Sequence, residues 1–150
     1  MTTQLKDFAT IEVAVVGPET SALFAAQFMR KHHVGALVVV DSTDKTRPIG
    51  ILTDRDLVLA LMAEGLDPAV FTAGDIMSVE LVVAKPDMDA MDAVQLMRTN
   101  RLRRLVIVDD AGLLVGIVTM EDILELLSRQ LADLAAAVLG SRDREFEQRS

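Results

Sequence analysis

Gly50-Ile51-Leu52-Thr53-Asp54-Arg55-Asp56-Leu57 returns later in the chain as Gly116-Ile117-Val118-Thr119-Met120-Glu121-Asp122-Ile123. The loop that precedes this octapeptide is two residues shorter in the second copy. Before that loop, each repeated residue recurs 68 positions later in the chain. A repeat of this length decides the architecture, because two equivalent halves must present equivalent surfaces with clefts between them. The upstream residues that recur are Asp7, Glu12, Val15, Pro18, Ala22, Ala25, Gln27, Met29, Arg30, Leu37, Val38, Val40 and Asp41.

The composition indicates a folded domain rather than a disordered or membrane-spanning chain. Apolar residues make up 51% of 150 residues, which is enough for one compact core. No apolar run approaches the roughly 20 residues that a membrane span needs, and the first residues lack the pattern of a secretion signal. The chain has no cysteine, which excludes disulfides, thiolate metal sites and a cysteine nucleophile. We therefore expect a cytoplasmic protein that does not bind membranes.

The net charge of −8 disfavours general binding to nucleic acid, because an acidic surface repels a phosphate backbone. Any phosphate site must be local. His32 and His33 are adjacent on a predicted helix and point in different directions, so they make a poor metal pair. Neither a paired-carboxylate site nor a Ser-His-Asp order is evident. We expect no metal site and no catalytic residues, and hence no enzyme.

Hydrophobic periodicity predicts the order strand, helix, strand, strand, helix in each half. Ser21 and Asp89 are in position to cap the first helix of each half, and the first strand is expected to complete a three-stranded sheet with two helices on one face. Residues 140–150 are charged and are expected to fray. The predicted strands are 10–16, 36–40, 49–52, 79–84, 105–108 and 114–118, and the predicted helices are 22–32, 53–63, 90–100 and 120–139.

The ordered motifs of the two halves together resemble a known family, the CBS domain pair or Bateman module. The second half carries Asp75-Ile76-Met77-Ser78, Pro86, Ala93, Met97, Arg104-Leu105-Val106-Ile107-Val108-Asp109, Gly116-Ile117-Val118-Thr119 and Asp122. The first half carries Pro18, Ala25, Met29, the segment Val34 to Asp41 and the segment Gly50 to Asp56, whereas Asp7-Phe8-Ala9-Thr10 is a degraded match to the usual start.

The resemblance implies an α+β fold of two tandem β-α-β-β-α repeats that form one pseudo-two-fold module. It divides the chain into a first repeat (residues 7–63), a linker (64–74), a second repeat (75–127), and a C-terminal helix extension with a charged tail (128–150). It also implies up to two clefts for adenosine-containing ligands, namely AMP, ADP, ATP, S-adenosylmethionine or NAD(H). Such modules sense ligands, for example the energy state, and signal to a partner; they are not usually enzymes.

The pairs Thr53-x-x-Asp56 and Thr119-x-x-Asp122 each open a predicted helix. This spacing is typical of a capping box, in which the two side chains satisfy unpaired backbone N–H groups. A carboxylate in the first turn can in addition accept both hydroxyls of a ribose, and the helix start favours phosphate. The resemblance assigns the aspartates to ribose and the threonines to ribose or phosphate. Capping alone remains the alternative.

Arg104 belongs to Arg101-x-Arg103-Arg104, the densest positive cluster of the chain. The resemblance places a basic residue at this strand start near the ligand phosphate, whereas the alternative is a solvated cluster. The equivalent residue of the first copy is Ala36, and Arg55 is its possible replacement. The two clefts are therefore expected to differ.

The resemblance builds each cleft across the two copies. Asp122, Thr119 and Arg104 would face Thr10, Val13 and Val34, and Asp56, Thr53 and Arg55 would face Ser78, Leu81 and Leu102. Since the chain has no Trp or Tyr, an adenine would lie between aliphatic side chains, with the backbone amide of Thr10 or Ser78 reading its edge. For each aliphatic residue taken singly, ordinary core packing is the alternative.

A heptad-like stripe follows on the last helix, with apolar residues at alternating spacings of three and four. It is consistent either with packing on the same module or with a dimer seam. The leading hypothesis is a stand-alone regulatory module, homodimeric, with no obligatory cofactor and an unidentified protein target. A ligand-free dimerisation scaffold is the alternative. The stripe consists of Leu124, Leu127, Leu131, Leu134 and Val138.

Overall fold

The computed structural model describes residues 3–149, apart from the side chain of Arg149. Its first half contains β1 (Val15–Val16), α1 (Ala22–His32), β2 (Ala36–Val40), β3 (Pro48–Thr53) and α2 (Asp54–Leu57), which continues as a π-helical turn over Val58–Met62. A short 3-10 helix at Leu5–Asp7 precedes them. The second half contains α3 (Ala73–Ile76), β4 (Val83–Ala84), α4 (Ala90–Asn100), β5 (Arg104–Val108), β6 (Leu114–Thr119) and α5 (Met120–Arg149).

The strands form two three-stranded sheets with the same topology. In each sheet the first strand runs parallel to the second, and the second runs antiparallel to the third. The register is also repeated, since Ala36 lies opposite Thr53 and Arg104 lies opposite Thr119. The predicted α+β fold of two tandem repeats with a C-terminal helix is therefore confirmed.

Each sheet buries both of its faces, and this explains the continuous apolar runs of β2 and β5. Leu37, Val39 and Leu52 face the helices of the first repeat, where Ala25 and Met29 of α1 complete the core. The alternate residues face the other sheet and form a third cluster between the repeats. Its buried members are Val38, Val40, Val106 and Val108.

The predicted first strands are too long because the chain changes sheet partway along each of them. Thr10 forms an antiparallel bridge with Ile117 of the second repeat, whereas Val15 pairs with Val38 of the first. A segment that pairs with one sheet and then with the other cannot form one continuous strand. The second copy behaves in the same way, since Ser78 bridges Ile51 before Val83 pairs with Val106.

We call the segment before the first strand of each repeat its lead-in, residues 5–14 and 73–82. The lead-in of each repeat completes the core of the other repeat. Leu5 is fully buried among second-repeat residues, and its backbone N–H donates to the carbonyl of Met88 at 2.9 Å. Ala73, at the equivalent position of the second copy, is fully buried in the core of the first repeat. This exchange ties the two repeats into one unit.

The helix starts follow the predicted caps. The Ser21 hydroxyl accepts from the N–H of Phe24 at 3.1 Å, and the Asp89 carboxylate accepts from the N–H of Met91 at 3.1 Å. Both α1 and α4 span the predicted residues, and both end on a non-glycine residue in the left-handed region, His33 and Arg101.

The last helix is longer than predicted. Residues 140–149 were expected to fray, yet α5 continues without a break to Arg149; Ser150 lies outside the described residues. The charges of this tail alternate in sign, which permits helical neighbours of opposite charge rather than forcing the tail apart. Within residues 3–149, no helix is both long and apolar enough to cross a bilayer.

Candidate ligand-binding clefts

The two Thr-x-x-Asp motifs form capping boxes with nearly the same geometry. In the first copy, the N–H of Thr53 donates to Oδ2 of Asp56 at 2.8 Å, and the N–H of Asp56 donates to Oγ1 of Thr53 at 3.2 Å. In the second copy, the corresponding distances between Thr119 and Asp122 are 3.0 and 3.1 Å. Each cap uses Oδ2, so Oδ1 of each aspartate retains its acceptor capacity.

A cleft of about 230 Å³ opens beside Asp122. All six residues predicted for this cleft line it, and they come from both repeats. Gly35, Ala36 and Ile117 add further apolar wall, so one side is aliphatic and the other carries the carboxylate. The six predicted residues are Thr10, Val13, Val34, Arg104, Thr119 and Asp122.

A second cleft of about 200 Å³ opens beside Asp56. Five of the six residues predicted for it line the cleft, namely Thr53, Asp56, Ser78, Leu81 and Leu102. Arg103 and Arg104 also line it, although neither was expected there. The clefts are related by the repeat, since the start of β5 forms the wall of this cleft as the start of β2 does in the other.

Arg55 does not line the Asp56 cleft, and its expected role as a substitute arginine stays a prediction without support from this placement. It precedes Asp56 on α2, and adjacent helical residues point about 100° apart, so the two side chains do not share one side. Arg55 is exposed, whereas Asp56 is half-buried. The positive charge of this cleft comes from β5 of the other repeat instead.

The backbone amides of Thr10 and Ser78 are not free to read an adenine, contrary to the sequence expectation. The N–H of Thr10 donates to the carbonyl of Ile117 at 3.1 Å. The N–H of Ser78 donates to the carbonyl of Ile51 at 2.9 Å. These bonds are the bridges by which each lead-in crosses to the other sheet, and a backbone N–H has one hydrogen to donate.

The three clustered arginines have different surroundings. Arg101 ends α4 in the left-handed conformation. Arg103 donates from Nη2 to Oε1 of Glu121 at 2.5 Å, and both side chains are largely exposed. The pKa of Glu121 lies below its usual value because its carboxylate accepts from its own backbone N–H and, next, because Arg103 lies beside it. Arg104 is half-buried at the start of β5.

Two glutamates at the clefts were missed by the sequence reasoning. Glu12 lines the Asp122 cleft and Glu80 lines the Asp56 cleft, at equivalent positions of the two copies. Their recurrence in the repeat is visible in the sequence. The sequence does not show that they lie at the clefts, because this depends on each segment pairing with the sheet of the other repeat. Within residues 3–149, no cluster of three or more His, Asp or Glu residues is arranged to hold a metal ion.

Comparison with known families matches the CBS domain twice, over residues 5–63 and 73–129. An uncharacterized protein of Methanopyrus kandleri is 43% identical over 119 residues, which cover 79% of this chain but only 60% of that protein. The CBS domain-containing protein YhcV of Bacillus subtilis is 42% identical over 119 residues, which cover 79% of this chain and 81% of YhcV.

A solved structure extends the likeness to the fold and includes bound ligands. The CBS domain pair of protein MJ0100, in complex with 5′-methylthioadenosine and S-adenosyl-L-methionine, has a TM-score of 0.78 and 27% sequence identity. The match covers 87% of this chain and 99% of that one. With both repeats matched and with relatives above 40% identity, this chain belongs to the CBS domain family.

Proposed function

We propose that this protein is a regulatory module that binds an adenosine-containing ligand in the clefts between its repeats and signals its presence to a protein partner. The candidate ligands are AMP, ADP, ATP, S-adenosylmethionine and NAD(H). The observation that carries the proposal is the double cleft: each one places a capping-box aspartate of one repeat against aliphatic residues of the other.

The aspartates have the chemistry that a ribose requires. Oδ2 of each is held by the backbone N–H of its threonine, which fixes the carboxylate in position. Oδ1 and the remaining lone pair of Oδ2 can accept from the two ribose hydroxyls, since an ionised carboxylate has about four acceptor sites and no donor. Hydrogen bonds to a charged acceptor contribute about 1.5–3 kcal/mol each.

The aliphatic walls suit a purine ring. Val13, Val34 and Ile117 line one cleft, and Leu81, Leu102 and Ile51 line the other. Both clefts are smaller than the roughly 300–1,000 Å³ typical of sites for drug-sized ligands, so the tail of the ligand would extend out of them. Arg103 and Arg104 line the Asp56 cleft and Arg104 also lines the Asp122 cleft, and a guanidinium suits a phosphate or carboxylate.

A solved relative supports the same ligand class. The CBS domain pair of MJ0100 was solved with two adenosine-containing compounds, and it shares the fold of this chain. A bound ligand that contacts both repeats would stabilise one arrangement of the two lead-ins, which each cross between the sheets. A partner that recognises this arrangement would then respond to the ligand.

Ligand-dependent melting tests the proposal. Because a ligand that binds only the folded state stabilises it by mass action, a hundredfold excess over the dissociation constant adds about 2.7 kcal/mol. In a chain of this size the melting temperature should rise by roughly 5–10 °C. AMP, ADP, ATP, S-adenosylmethionine and NADH are each tested at millimolar concentration, and at least one should produce the shift.

The matched control replaces both aspartates by asparagine. Asp56→Asn with Asp122→Asn keeps an oxygen to accept from the threonine N–H but replaces an acceptor oxygen by an amide donor. The variant should fold and lose the ligand-induced shift. If none of the five compounds shifts the wild-type protein, or if the shift persists in the double variant, the proposed function is wrong. Since the chain has no Trp or Tyr, absorbance near 260 nm also reports any co-purified adenine.

A ligand-free dimerisation scaffold is the second candidate, and the exposed apolar helix faces favour it. Leu131 and Leu134 on α5 are 67% and 62% exposed, and Met62 on the π-helical turn is 76% exposed. The two candidates differ in the role of the Thr-x-x-Asp motifs, which in a scaffold only cap helices. A wild-type protein that dimerises but shows no ligand-induced shift would be the scaffold.

A further inference from the structure

Arg104 lies between the two candidate clefts and lines both of them. As the first residue of β5, it forms part of the wall of the Asp56 cleft, next to Leu102 and Arg103. In the same sheet it lies opposite Thr119, which caps the helix of Asp122. The start of β5 is thus next to the Asp122 cleft through its pairing with β6 in the same sheet, and next to the Asp56 cleft through the contact between the two repeats.

The equivalent residue of the first repeat cannot act in this way. Ala36 lies opposite Thr53 in the same register, but it lines only the Asp122 cleft. Its side chain ends at Cβ, whereas the Arg104 guanidinium extends across the module. The tip of Arg104 reaches Gly35 of the first repeat, where a Cβ would lie 3.3 Å from Nη2. The absence of a side chain at Gly35 leaves this space to the guanidinium and to the carboxylate of Asp54, whose Oδ2 would lie 3.0 Å from the same Cβ.

The Arg104 guanidinium has no direct hydrogen bond within the described part of the chain, although the Asp54 carboxylate lies beside it at Gly35 and its charge acts on Glu121. Among residues 3–149 it forms no side-chain hydrogen bond and no ion pair within 4 Å, whereas the neighbouring Arg103 is bonded to Glu121. A half-buried guanidinium that makes no direct hydrogen bond can donate to an incoming anion. It is also the cation that the two clefts have in common.

We propose that Arg104 couples the two clefts negatively, so that an anionic adenosine ligand bound in one cleft weakens the binding of a second in the other. This inference rests on the proposed function and adds its regulation. The first ligand draws the guanidinium towards its own phosphate, and the second cleft is left without that contact. One Arg104 side chain carries a single positive charge, so a second phosphate gains less from it once a first phosphate is bound.

The sign of the coupling follows from charge and does not depend on which cleft fills first. Binding linkage is reciprocal, so each ligand weakens the other by the same factor. Coupling between sites is typically 5–150-fold, and we expect at least about a fivefold increase in the second dissociation constant. A neutral ligand such as adenosine makes no demand on the guanidinium and should show no coupling.

Calorimetric titration of the full chain with AMP tests this inference. Asp56→Asn and Asp122→Asn each disable one cleft, and each variant reports the intrinsic dissociation constant of the remaining cleft. If the clefts were independent, the wild-type titration would be the sum of the two single-cleft titrations. We expect the second AMP to bind the wild type at least about fivefold more weakly than this sum predicts.

Two arginine variants separate shared contact from simple repulsion between the phosphates. Arg104→Gln should weaken AMP binding in both clefts. The titration of Arg104→Gln with both aspartates intact should equal the sum of the titrations of its two combinations, with Asp56→Asn and with Asp122→Asn. Arg103→Gln is the matched neighbour: it should weaken AMP only in the Asp56 cleft and leave the coupling in place. Circular dichroism confirms that each variant is folded.

The outcomes distinguish this inference from the proposed function. Coupling that persists in Arg104→Gln, coupling with adenosine, or additive AMP binding in the wild type would each overturn the role of Arg104 while leaving adenosine binding intact. If only one single-cleft variant binds AMP, there is no second cleft to couple and the inference is also wrong. If neither AMP nor adenosine binds any form, the proposed function fails with it.

Discussion

Two glycines that open the repeated octapeptides show how single residues permit the crossing of the lead-ins. A Cβ on Gly116 would lie 2.7 Å from the carbonyl oxygen of Thr10, which real Cβ contacts do not tolerate. A Cβ on Gly50 would overlap the side chain of Met77 and would lie 3.0 Å from the carbonyl oxygen of Ser78, which is the repeat equivalent of Thr10. Neither glycine has a positive φ, so close approach of the other repeat, rather than backbone conformation, requires them.

Replacing Gly116 by alanine should therefore destabilise the protein by overpacking. Overpacked sites typically lose about 1–3 kcal/mol, and the atom in the way here is a backbone carbonyl that accepts from Ile117 and cannot move freely. Urea unfolding followed by circular dichroism measures the change in the free energy of unfolding.

Gly140→Ala is the matched control for the same chemical change. Gly140 lies within α5, and a Cβ there would meet nothing within 4 Å. Since glycine is about 0.8–1.0 kcal/mol less favourable than alanine inside a helix, this variant should be as stable as the wild type or more so. Equal effects of the two substitutions would mean that the contact between Gly116 and Thr10 is not as close as the structure shows.

The site residues show which parts of a cleft are readable from sequence. The capping boxes were predicted because Thr and Asp at this spacing act within one turn of helix, and the structure forms both. The sequence does not indicate that Arg55 lies outside the cleft or that the N–H of Thr10 is already bonded, because the first depends on side-chain direction and the second on long-range pairing. The aspartate and aliphatic residues lie at the predicted clefts, but their contact with a ligand stays a prediction.

At the scale of elements, the short lead-in before β1 is part of the core rather than a loose terminus. Leu5 is fully buried in the cluster built from α4, β5, β6 and α5 of the second repeat. Leu5→Ala should cost about 2–5 kcal/mol, because it removes buried methyl groups and leaves a cavity. Urea unfolding gives this loss, and the unfolding curve should remain a single transition since the two repeats share their cores.

Lys6→Ala provides the comparison at the adjacent position. Lys6 is exposed, and a surface substitution of this kind usually changes stability by less than about 0.5 kcal/mol. A loss for Leu5→Ala as small as that of Lys6→Ala would show that the lead-in is not packed against the second repeat.

The elements themselves were largely predictable, and the exceptions have one physical origin. Helices α1 and α4 and strand β2 match their predicted bounds because local periodicity and capping determine them. The strands that begin each repeat were overextended, since nothing in residues 10–16 reports that they pair first with one sheet and then with the other. Helix α5 is longer than predicted because the charged residues 140–150 were expected to fray.

At the scale of the whole molecule, the described part of the chain leaves the apolar stripe of α5 largely exposed. Leu124, Leu131 and Leu134 are 61%, 67% and 62% exposed on α5. Two heptads of such residues form a contiguous patch of the kind that soluble monomers rarely expose. Alanines at 135 and 137 flank the stripe and would let a second helix approach closely.

We therefore expect a homodimer in which the stripes of two copies pack against each other. Light scattering at tens of micromolar should give a mass near twice 16.3 kDa. Leu131→Asp combined with Leu134→Asp should reduce it to the monomer mass, because each substitution would bury an unpaired carboxylate at the seam. The clefts lie elsewhere on the module, so ligand-induced melting shifts should survive in the monomer.

Arg129→Glu is the control on the same helix. Arg129 lies on the side opposite the stripe, where it pairs with Glu125 at 3.2 Å, and its loss should leave the dimer intact. A wild-type monomer at these concentrations would contradict the dimer itself. A dimer that tolerates both aspartates would instead place the interface on other helices. The next face to substitute is then the exposed apolar groove between α1 and the π-helical turn, which is lined by Leu23, Val58 and Met62. This groove is another large apolar surface in the described part of the chain.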